Sequence, residues 1–302
     1  MNVRLAEAIR RSPEDWFWVH DRWKTPKPDF LLARYRRGVV LPDRFAVQEL
    51  QPFEILVRSP NWLGDICMSF PAVRAICAGR PDARVTVVSP ASFAPVWKMV
   101  EGVAEVIEKP DGAGPRTVGR LIRGAGRTFD VAVLFPNSLR SALEARAAGI
   151  PRIVGYAGHG RVRLIDQIVP GPKPGKPPRH QARELLGMAE FMGADIGSLG
   201  AEPHLIAEHR PEPGSSRVGV CPGAAYGDAK RLPVEKFAAA MNRVDEEIAG
   251  IDWVIVGTAR EAGVAASLEE LATGRIENLA GKTDLEGLIA TLSSFRALLT
   301  ND

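Results

Sequence analysis

Several common protein classes are disfavoured by what this sequence lacks. It has only three cysteines in 302 residues, and their spacing fits no metal site, so we expect neither a disulfide framework nor a zinc centre. No apolar run approaches the roughly 20 residues of a membrane-spanning helix, and the N-terminus has no apolar signal core. These absences predict a soluble, cytoplasmic protein.

Two familiar nucleotide-binding signatures are also missing. The three glycines of Gly155–Gly160 do not have the dinucleotide spacing Gly-x-Gly-x-x-Gly, and they do not lead from a long strand into a helix. The Gly-Lys-Ser/Thr of a Walker loop is absent as well. This argues against an NAD-dependent Rossmann enzyme. His159 and His180 are interpreted as a loop residue and a helix-start residue rather than as ligands.

The excess of basic over acidic residues lies at the N-terminus. The net charge is only +3, and the excess falls within residues 1–52, so we expect no nucleic-acid-binding stripe. The same segment places three tryptophans within Trp16–Trp23. Two interpretations stay open: a helix that docks its aromatic side chains on the main body, or an anchor that contacts anionic lipid head groups.

From Phe53 onward, short apolar runs alternate with helical patterns. Such alternation predicts βαβ units and mostly parallel sheets. A Pro-rich stretch at 202–214 separates two series of this kind. We therefore predict an N-terminal extension (1–52), a first doubly wound domain (53–205) and a second one (206–302). The predicted strands are 54–58, 84–89, 103–109, 130–135, 153–155, 217–221, 253–256 and 297–299.

The second series ends directly after a predicted strand, at Thr300-Asn301-Asp302. An α/β domain of about 90 residues is below the usual size. We interpret the second domain as truncated, and a naturally small domain is the alternative.

Ligands of doubly wound domains bind at the carboxyl ends of the strands, and polar residues follow several predicted strands. Gly64-Asp65 follows the first strand, where Asp65 is either a helix N-cap or a general base for an acceptor hydroxyl. Asn137-Ser138 either cap the next helix or hydrogen-bond a polar substrate.

The most phosphate-like segment is Pro222–Pro233. Its small residues expose backbone N–H groups, the cations Lys230 and Arg231 follow, and a helix begins after it. A solvated Lys-Arg pair is the alternative interpretation. Asn301-Asp302 follow the last strand, where a carboxylate can accept hydrogen bonds from sugar hydroxyls.

Taken in order, these segments resemble glycosyltransferase family 9, the ADP-heptose:lipopolysaccharide heptosyltransferases, and most closely the heptosyltransferase II branch. The resemblance covers residues 55–302. The matching pieces are Ser59-Pro-Asn-Trp-Leu-Gly-Asp65, Leu134-Phe-Pro-Asn-Ser138, Cys221-Pro-Gly-Ala-Ala-Tyr-Gly-Asp-Ala-Lys-Arg-Leu-Pro233, Asn278-Leu-Ala-Gly281 and Thr300-Asn-Asp302.

The resemblance implies an α/β GT-B fold, with two Rossmann-like domains facing each other across a cleft. It also implies a metal-independent, inverting transferase that uses no cofactor. It implies Asp65 as the catalytic base and Lys230 as the cation that holds the diphosphate as it leaves. It also implies Asp302 as the acid for heptose hydroxyls and Glu261 for the ribose. The other substrate-binding residues that it implies are Asn61, Gly64, Asn137, Ser138, Ala224, Ala225 and Asn301.

The implied reaction moves L-glycero-D-manno-heptose from ADP-heptose to the lipopolysaccharide inner core. The implied acceptor is Kdo-lipid A or heptosyl-Kdo-lipid A, reached by peripheral contact with the cytoplasmic face of the inner membrane. A related transferase for another nucleotide-sugar and an inactive, binding-only fragment are the alternatives. Residues 1–30 resemble the C-terminal end of lipid A biosynthesis acyltransferases, without the catalytic His-x-x-x-x-Asp of those enzymes.

Overall fold

The computed structural model describes Glu7, Arg10 and Arg11 together with residues 52–80, 83–171, 180–194, 196, 214–224 and 230–301. The predicted docking helix or lipid anchor at Trp16–Trp23 lies outside these residues, as does most of the predicted linker. Ala225 and Asp302 also lie outside them. Within the part of the chain that the structure describes, no helix is both long and apolar enough to cross a bilayer.

The first unit is built on a six-stranded sheet in which every neighbouring pair is parallel. Its β-branched and apolar runs suit strands that are covered on both faces. The strands lie in the order β3-β2-β1-β4-β5-β6. They are β1 (Phe53–Arg58), β2 (Ala83–Pro90), β3 (Val103–Lys109), β4 (Val131–Leu134), β5 (Ile153–Tyr156) and β6 (Gln167–Val169).

Among the described residues, five α-helices accompany this sheet, as the alternating pattern predicts. Four of them follow β1 to β4, and the fifth follows β6. The fourth of them has a capping residue at each end: it begins after the N-cap Ser138 and is followed by the C-cap Gly149, whose φ of 79° is readily adopted by glycine. The helices are α1 (Leu63–Gly79), α2 (Ala94–Lys98), α3 (Pro115–Arg123), α4 (Leu139–Ala148) and α5 (Gln181–Phe191).

Alternation along β1 divides the core of the first unit into two layers. Ile55 and Val57 pack with buried residues of α1, α2 and α5, whereas Leu56 packs with those of α3 and α4. Because successive side chains of a strand point to opposite faces, Arg58 follows Leu56 onto the face that α3 and α4 cover. A charged residue is thereby buried against α4.

The second unit has a four-stranded parallel sheet in the order β10-β7-β8-β9. Phe237, Met241 and Trp253 belong to its main core on one face, and Phe295 is buried on the other. Its elements are β7 (Arg217–Cys221), α6 (Val234–Glu247), β8 (Asp252–Ile255), α7 (Ala262–Leu271), β9 (Arg275–Asn278), α8 (Leu285–Ser293) and β10 (Ala297–Thr300).

Both sheets contain a point at which the strand order reverses. In the first sheet β1 lies between β2 and β4, and in the second sheet β7 lies between β8 and β10. Ligands of doubly wound sheets bind beyond the carboxyl ends of the strands at such switch points. The residues that follow β1, β4, β7 and β10 are therefore placed where a ligand is expected.

The sequence prediction omitted one strand of the first sheet. Strand β6 is a three-residue edge strand in which only Val169 is buried and Ile168 is exposed. Three residues give no clear alternation, and Pro170 follows directly. The strand forms because β5 offers a parallel partner, which local sequence does not reveal.

Candidate active site

A cavity of about 730 Å³ opens at the switch point of the first sheet. Its walls include Asn61, Trp62 and Asp65 from the segment after β1, and Asn137 from the segment after β4. Tyr156, at the end of β5, lines it as well. The structure thus brings three of the predicted site residues, Asn61, Asp65 and Asn137, to one concave surface.

Asp65 lies in the first turn of α1 and does not cap the helix. Trp62 occupies the N-cap position without a side-chain cap, and its carbonyl accepts a hydrogen bond from the N–H of Ile66 at 2.9 Å. The N-cap prediction for Asp65 is therefore wrong, because the extended backbone at Trp62 starts the helix three residues earlier. A carboxylate in the first turn faces the positive end of the helix dipole, and here it lines the cavity.

Gly64 leaves open space beside that acid. A Cβ at this position would meet no heavy atom within 4 Å, and the residue is exposed. A ligand can therefore approach the backbone of the first turn of α1 closely.

The predicted capping role of the β4–α4 segment is confirmed for Ser138. Its Oγ accepts a hydrogen bond from the N–H of Ser141 at 3.2 Å. Asn137 does not cap the helix, and its amide packs instead against Gly158, where a Cβ would lie 3.5 Å from Asn137 Oδ1. Asn137 is the member of this pair that lines the cavity.

A buried guanidinium donates hydrogen bonds to the backbone of this wall of the cavity. Arg161 is fully buried, and it donates hydrogen bonds to the carbonyls of Tyr156 at 3.0 Å and of Pro136 at 2.5 Å. No carboxylate of the described residues forms an ion pair with it, and burial lowers the pKa of Arg161. Its charge is therefore balanced by carbonyl dipoles, and Pro136 and Tyr156 are fixed relative to each other.

In the second unit, Asn301 joins the two described ends of the predicted phosphate loop. Its Nδ2 donates to the carbonyls of Pro222 at 2.8 Å and Gly223 at 3.0 Å, and its Oδ1 accepts from the N–H of Leu232 at 2.9 Å. Pro222, Gly223 and Leu232, which flank the segment between Ala224 and Lys230, are thereby tied to the end of β10. The side-chain amide of Asn301 therefore bonds the backbone of this chain, whereas the sequence predicts that Asn301 binds the substrate.

Glu261 lies against the same loop. Its Oε2 accepts hydrogen bonds from Thr258 N–H at 2.6 Å and Thr258 Oγ1 at 2.9 Å. The first of these bonds forms a capping box together with the bond that the Thr258 side chain accepts from the N–H of Glu261. A methyl group at Gly223 would overlap the Glu261 carboxylate, so glycine is required for this close approach. Burial, and then the negative charge of Glu261, raise the pKa of Cys221 at the end of β7.

Comparison with known proteins decides the family. The sequence pattern of glycosyltransferase family 9 (heptosyltransferase) matches residues 118–302. Lipopolysaccharide heptosyltransferase 2 of Escherichia coli (strain K12) is 30% identical to this chain over 271 residues, which cover 82% of the chain and 77% of the relative. The chain belongs to glycosyltransferase family 9.

The fold agrees with this family assignment. The solved structure of E. coli ADP-heptose LPS heptosyltransferase II matches this structure with a TM-score of 0.68 at 27% identity, covering 82% of this chain and 79% of that one. Lipooligosaccharide heptosyltransferase 2 of Haemophilus influenzae is 27% identical over 274 residues, with 82% and 77% covered. The predicted GT-B architecture of two Rossmann-like units and the glycosyltransferase class are confirmed.

Sequence reasoning missed three charged residues beside the cavity of this family 9 member. Arg58 ends an apolar strand and is buried, and its Nε donates to Glu144 of α4 at 2.6 Å. Glu144 is the second of these residues, and the buried Arg161 is the third. A charged residue that ends the apolar run Ile55–Val57 is a signal for a buried pair, but neither Glu144 nor Arg161 carries any comparable signal in the sequence.

Proposed function

We propose that this chain transfers a heptosyl residue from ADP-heptose to the lipopolysaccharide inner core, with inversion at the anomeric carbon. The observation that carries the proposal is the grouping of Asn61, Asp65 and Asn137 around one cavity in a chain 30% identical to lipopolysaccharide heptosyltransferase 2. The acceptor binds in this cavity of the first unit, and the nucleotide-sugar binds at the Pro222–Pro233 loop of the second unit.

In this reaction Asp65 accepts the proton of the attacking acceptor hydroxyl. The acceptor oxygen forms a new bond to the anomeric carbon of the heptose, and the bond from that carbon to the diphosphate oxygen breaks. ADP leaves with the electron pair of the broken bond. Lys230 and the N–H groups near Ala224 and Ala225 stabilise the charge that develops on the diphosphate. Attack from the face opposite the leaving group gives inversion.

The remaining predicted residues have roles in holding the donor. Glu261, which lies against the loop at Gly223, accepts hydrogen bonds from the ribose hydroxyls. Asp302 follows the Asn301 tie and accepts hydrogen bonds from the heptose hydroxyls. A carboxylate is suited to both tasks because it is an acceptor only and sugar hydroxyls donate.

The acceptor is Kdo-lipid A or heptosyl-Kdo-lipid A, and we place the enzyme at the cytoplasmic face of the inner membrane in peripheral contact with lipid. Trp62 supports a saccharide acceptor, because it lies at the rim of the cavity and is 62% exposed. An aromatic face with a polar edge suits the mixed surface of a sugar ring.

The test is product formation by the purified chain and by Asp65→Asn, with mass spectrometry of the acceptor. We expect heptosylated product from the unaltered chain, and a kcat lower by roughly 10²- to 10⁴-fold in Asp65→Asn, the usual contribution of a general base. Glu286→Gln is the matched control, because Glu286 is an exposed acid in the first turn of α8. This control is expected to keep full activity.

Three results would contradict the proposal. Unchanged turnover in Asp65→Asn would contradict the role of Asp65 as the catalytic base. Faster transfer from another nucleotide-sugar would reassign the donor. Binding of ADP-heptose and acceptor without any product would favour a binding-only protein.

A further inference from the structure

Arg58 connects the core of the first unit to the cavity. It is 3% exposed at the end of β1, and its Nε donates to Oε2 of Glu144, a residue 1% exposed on α4. A guanidinium is a rigid fork of donors, so fixing Nε in this ion pair also fixes the direction of both terminal nitrogens.

Those two nitrogens hold the segment between β1 and α1. Nη1 donates to the carbonyl of Ser59, and Nη2 donates to the side chain of Asn61 at 3.0 Å. Because arginine has no acceptor atom, the atom of Asn61 that faces it must be the amide oxygen Oδ1. The amide nitrogen of Asn61 has no partner within the described ranges, and Asn61 lines the cavity beside Asp65.

The charges around Glu144 explain why Arg58 and Glu144 are buried together. Oε1 of Glu144 lies 3.6 Å from Nε of Arg140, and burial together with the charge of Arg58 lowers the pKa of nearby Lys109. A buried charge that loses its partner is strongly unfavourable. Glu144 therefore makes it possible to bury the permanently charged guanidinium of Arg58 next to the wall of the cavity.

We propose that Arg58 is a positioning residue that orients the Asn61 amide, so that its two N–H donors face an acceptor oxygen of the incoming saccharide. This inference rests on the proposed function and adds to it the polarity of one contact. The group recognised by Asn61 is a hydrogen-bond acceptor, such as a ring, hydroxyl or carboxylate oxygen, and Arg58 sets the position of the donor without touching the substrate.

The sharpest test is Asn61→Asp, measured with heptosyl-Kdo-lipid A as acceptor. Aspartate keeps an oxygen for Arg58 and nearly the same shape, but it has no N–H to donate. We expect the KM for the acceptor to rise about 10-fold, as for loss of one good hydrogen bond, while the KM for ADP-heptose stays unchanged. An acceptor KM equal to that of the unaltered chain would overturn the proposal.

The positioning role of Arg58 is tested by non-additivity. Arg58→Lys keeps the charge beside Glu144 but cannot reach three acceptors in one plane, so its acceptor KM should rise on its own. The double variant Arg58→Lys/Asn61→Ala should be no worse than Asn61→Ala, because both changes remove the same contact. Multiplicative effects of the two changes would overturn the role of Arg58.

A second ion pair on the same strand is the matched control. Glu54 of β1 pairs with Arg84 of β2, and neither residue lines the cavity. Arg84→Lys should leave both KM values unchanged, whatever it does to the melting temperature. A rise in the acceptor KM of Arg84→Lys would show that loss of any β1 ion pair is sufficient, and would overturn the specific role of Arg58.

Direct titration of the same acceptor by calorimetry separates the two proposals. Absence of heptosyl transfer by the unaltered chain would contradict the proposed function. Transfer accompanied by equal acceptor Kd values for the unaltered chain and Asn61→Asp would contradict only the role of Asn61. If Arg58→Lys fails to fold, the Asn61 variants still decide the polarity of the contact.

Discussion

Oδ1 of Asn301 accepts a hydrogen bond from the backbone N–H of Leu232 at 2.9 Å, across 69 residues of sequence. Its Nδ2 bonds the carbonyls of Pro222 and Gly223 at the other end of the same loop. One side-chain amide therefore closes the loop on which the diphosphate is proposed to bind. The two described ends of this loop are thus held by a residue that lies outside it.

We expect Asn301→Asp to weaken nucleotide binding without unfolding the protein. The change preserves the side-chain shape, but it replaces two N–H donors by an oxygen that repels the carbonyls of Pro222 and Gly223. Loss of these bonds should raise the Kd for ADP roughly 10-fold by calorimetry, corresponding to about 1.4 kcal/mol. Asn242→Asp is the control, since Asn242 bonds the backbone of Thr273 and Leu271 away from the loop. Equal Kd values for the two variants would contradict this reading.

We expect Gly223→Ala to destabilise the second unit through Glu261. A methyl group at this position overlaps the Glu261 carboxylate, which is held by its two bonds to Thr258. Displacing it should break the capping box and lower the free energy of unfolding by about 1–2 kcal/mol, measured in urea. Gly263→Ala is the control, because a Cβ there meets nothing within 4 Å and alanine favours a helix. A Gly223→Ala protein as stable as this control would show that Glu261 moves freely.

We expect the stability of the protein to fall above about pH 9 because of Cys77. Burial, with a smaller effect of the Glu101 charge, raises the pKa of the Cys77 thiol from 9.0 to about 12. Between these values the unfolded chain has lost the proton that the folded chain keeps, so the free energy of unfolding decreases as pH rises. The Cys77 contribution falls by up to about 1.4 kcal/mol per pH unit.

Urea unfolding at about pH 8 and about pH 10 measures this dependence on either side of the unfolded pKa. The variant Cys77→Ala should lose this part of the slope while other groups keep theirs. Parallel pH curves for the variant and the unaltered chain would mean that the thiol ionises equally in both states.

We expect Arg161→Lys to be poorly tolerated although it conserves charge. A lysine cannot donate simultaneously to the carbonyls of Tyr156 and Pro136 in the geometry of the guanidinium, and its compact charge would remain buried. The free energy of unfolding should fall by about 2 kcal/mol in chemical denaturation. Arg163→Lys, two residues away and exposed, should change it little. Comparable stability of the two variants would contradict the structural role of Arg161.

Except for β6 and β9, the strands of both units were predictable because they are short, apolar and bounded by turn residues. Val131–Leu134, for example, is fully buried, and a continuous apolar run is typical of a parallel strand covered on both faces. The boundary of α1 was not predictable. Its start at Leu63 follows from the backbone at Trp62 and not from a capping side chain that sequence could show.

The candidate site divides in the same way. Asp65 and Asn137 could be selected because each follows a predicted strand, and strand ends meet at one edge of a parallel sheet. The bond between Arg58 and Glu144 joins residues 86 positions apart, and no local pattern specifies that the acid of α4 meets the end of β1. The tie made by Asn301 could not be predicted for the same physical reason.

The order β10-β7-β8-β9 also has a consequence for the time course of folding. Strands β8 and β9 lie on one side of β7, and β10, which follows them in the chain, docks on the other side. The pairing of β10 with β7 is therefore the most non-local contact of the unit. During synthesis the loop after β7 leaves the ribosome well before Asn301, whose amide closes it. The nucleotide site is thus expected to be among the last parts of the second unit to mature, after most of its core has formed.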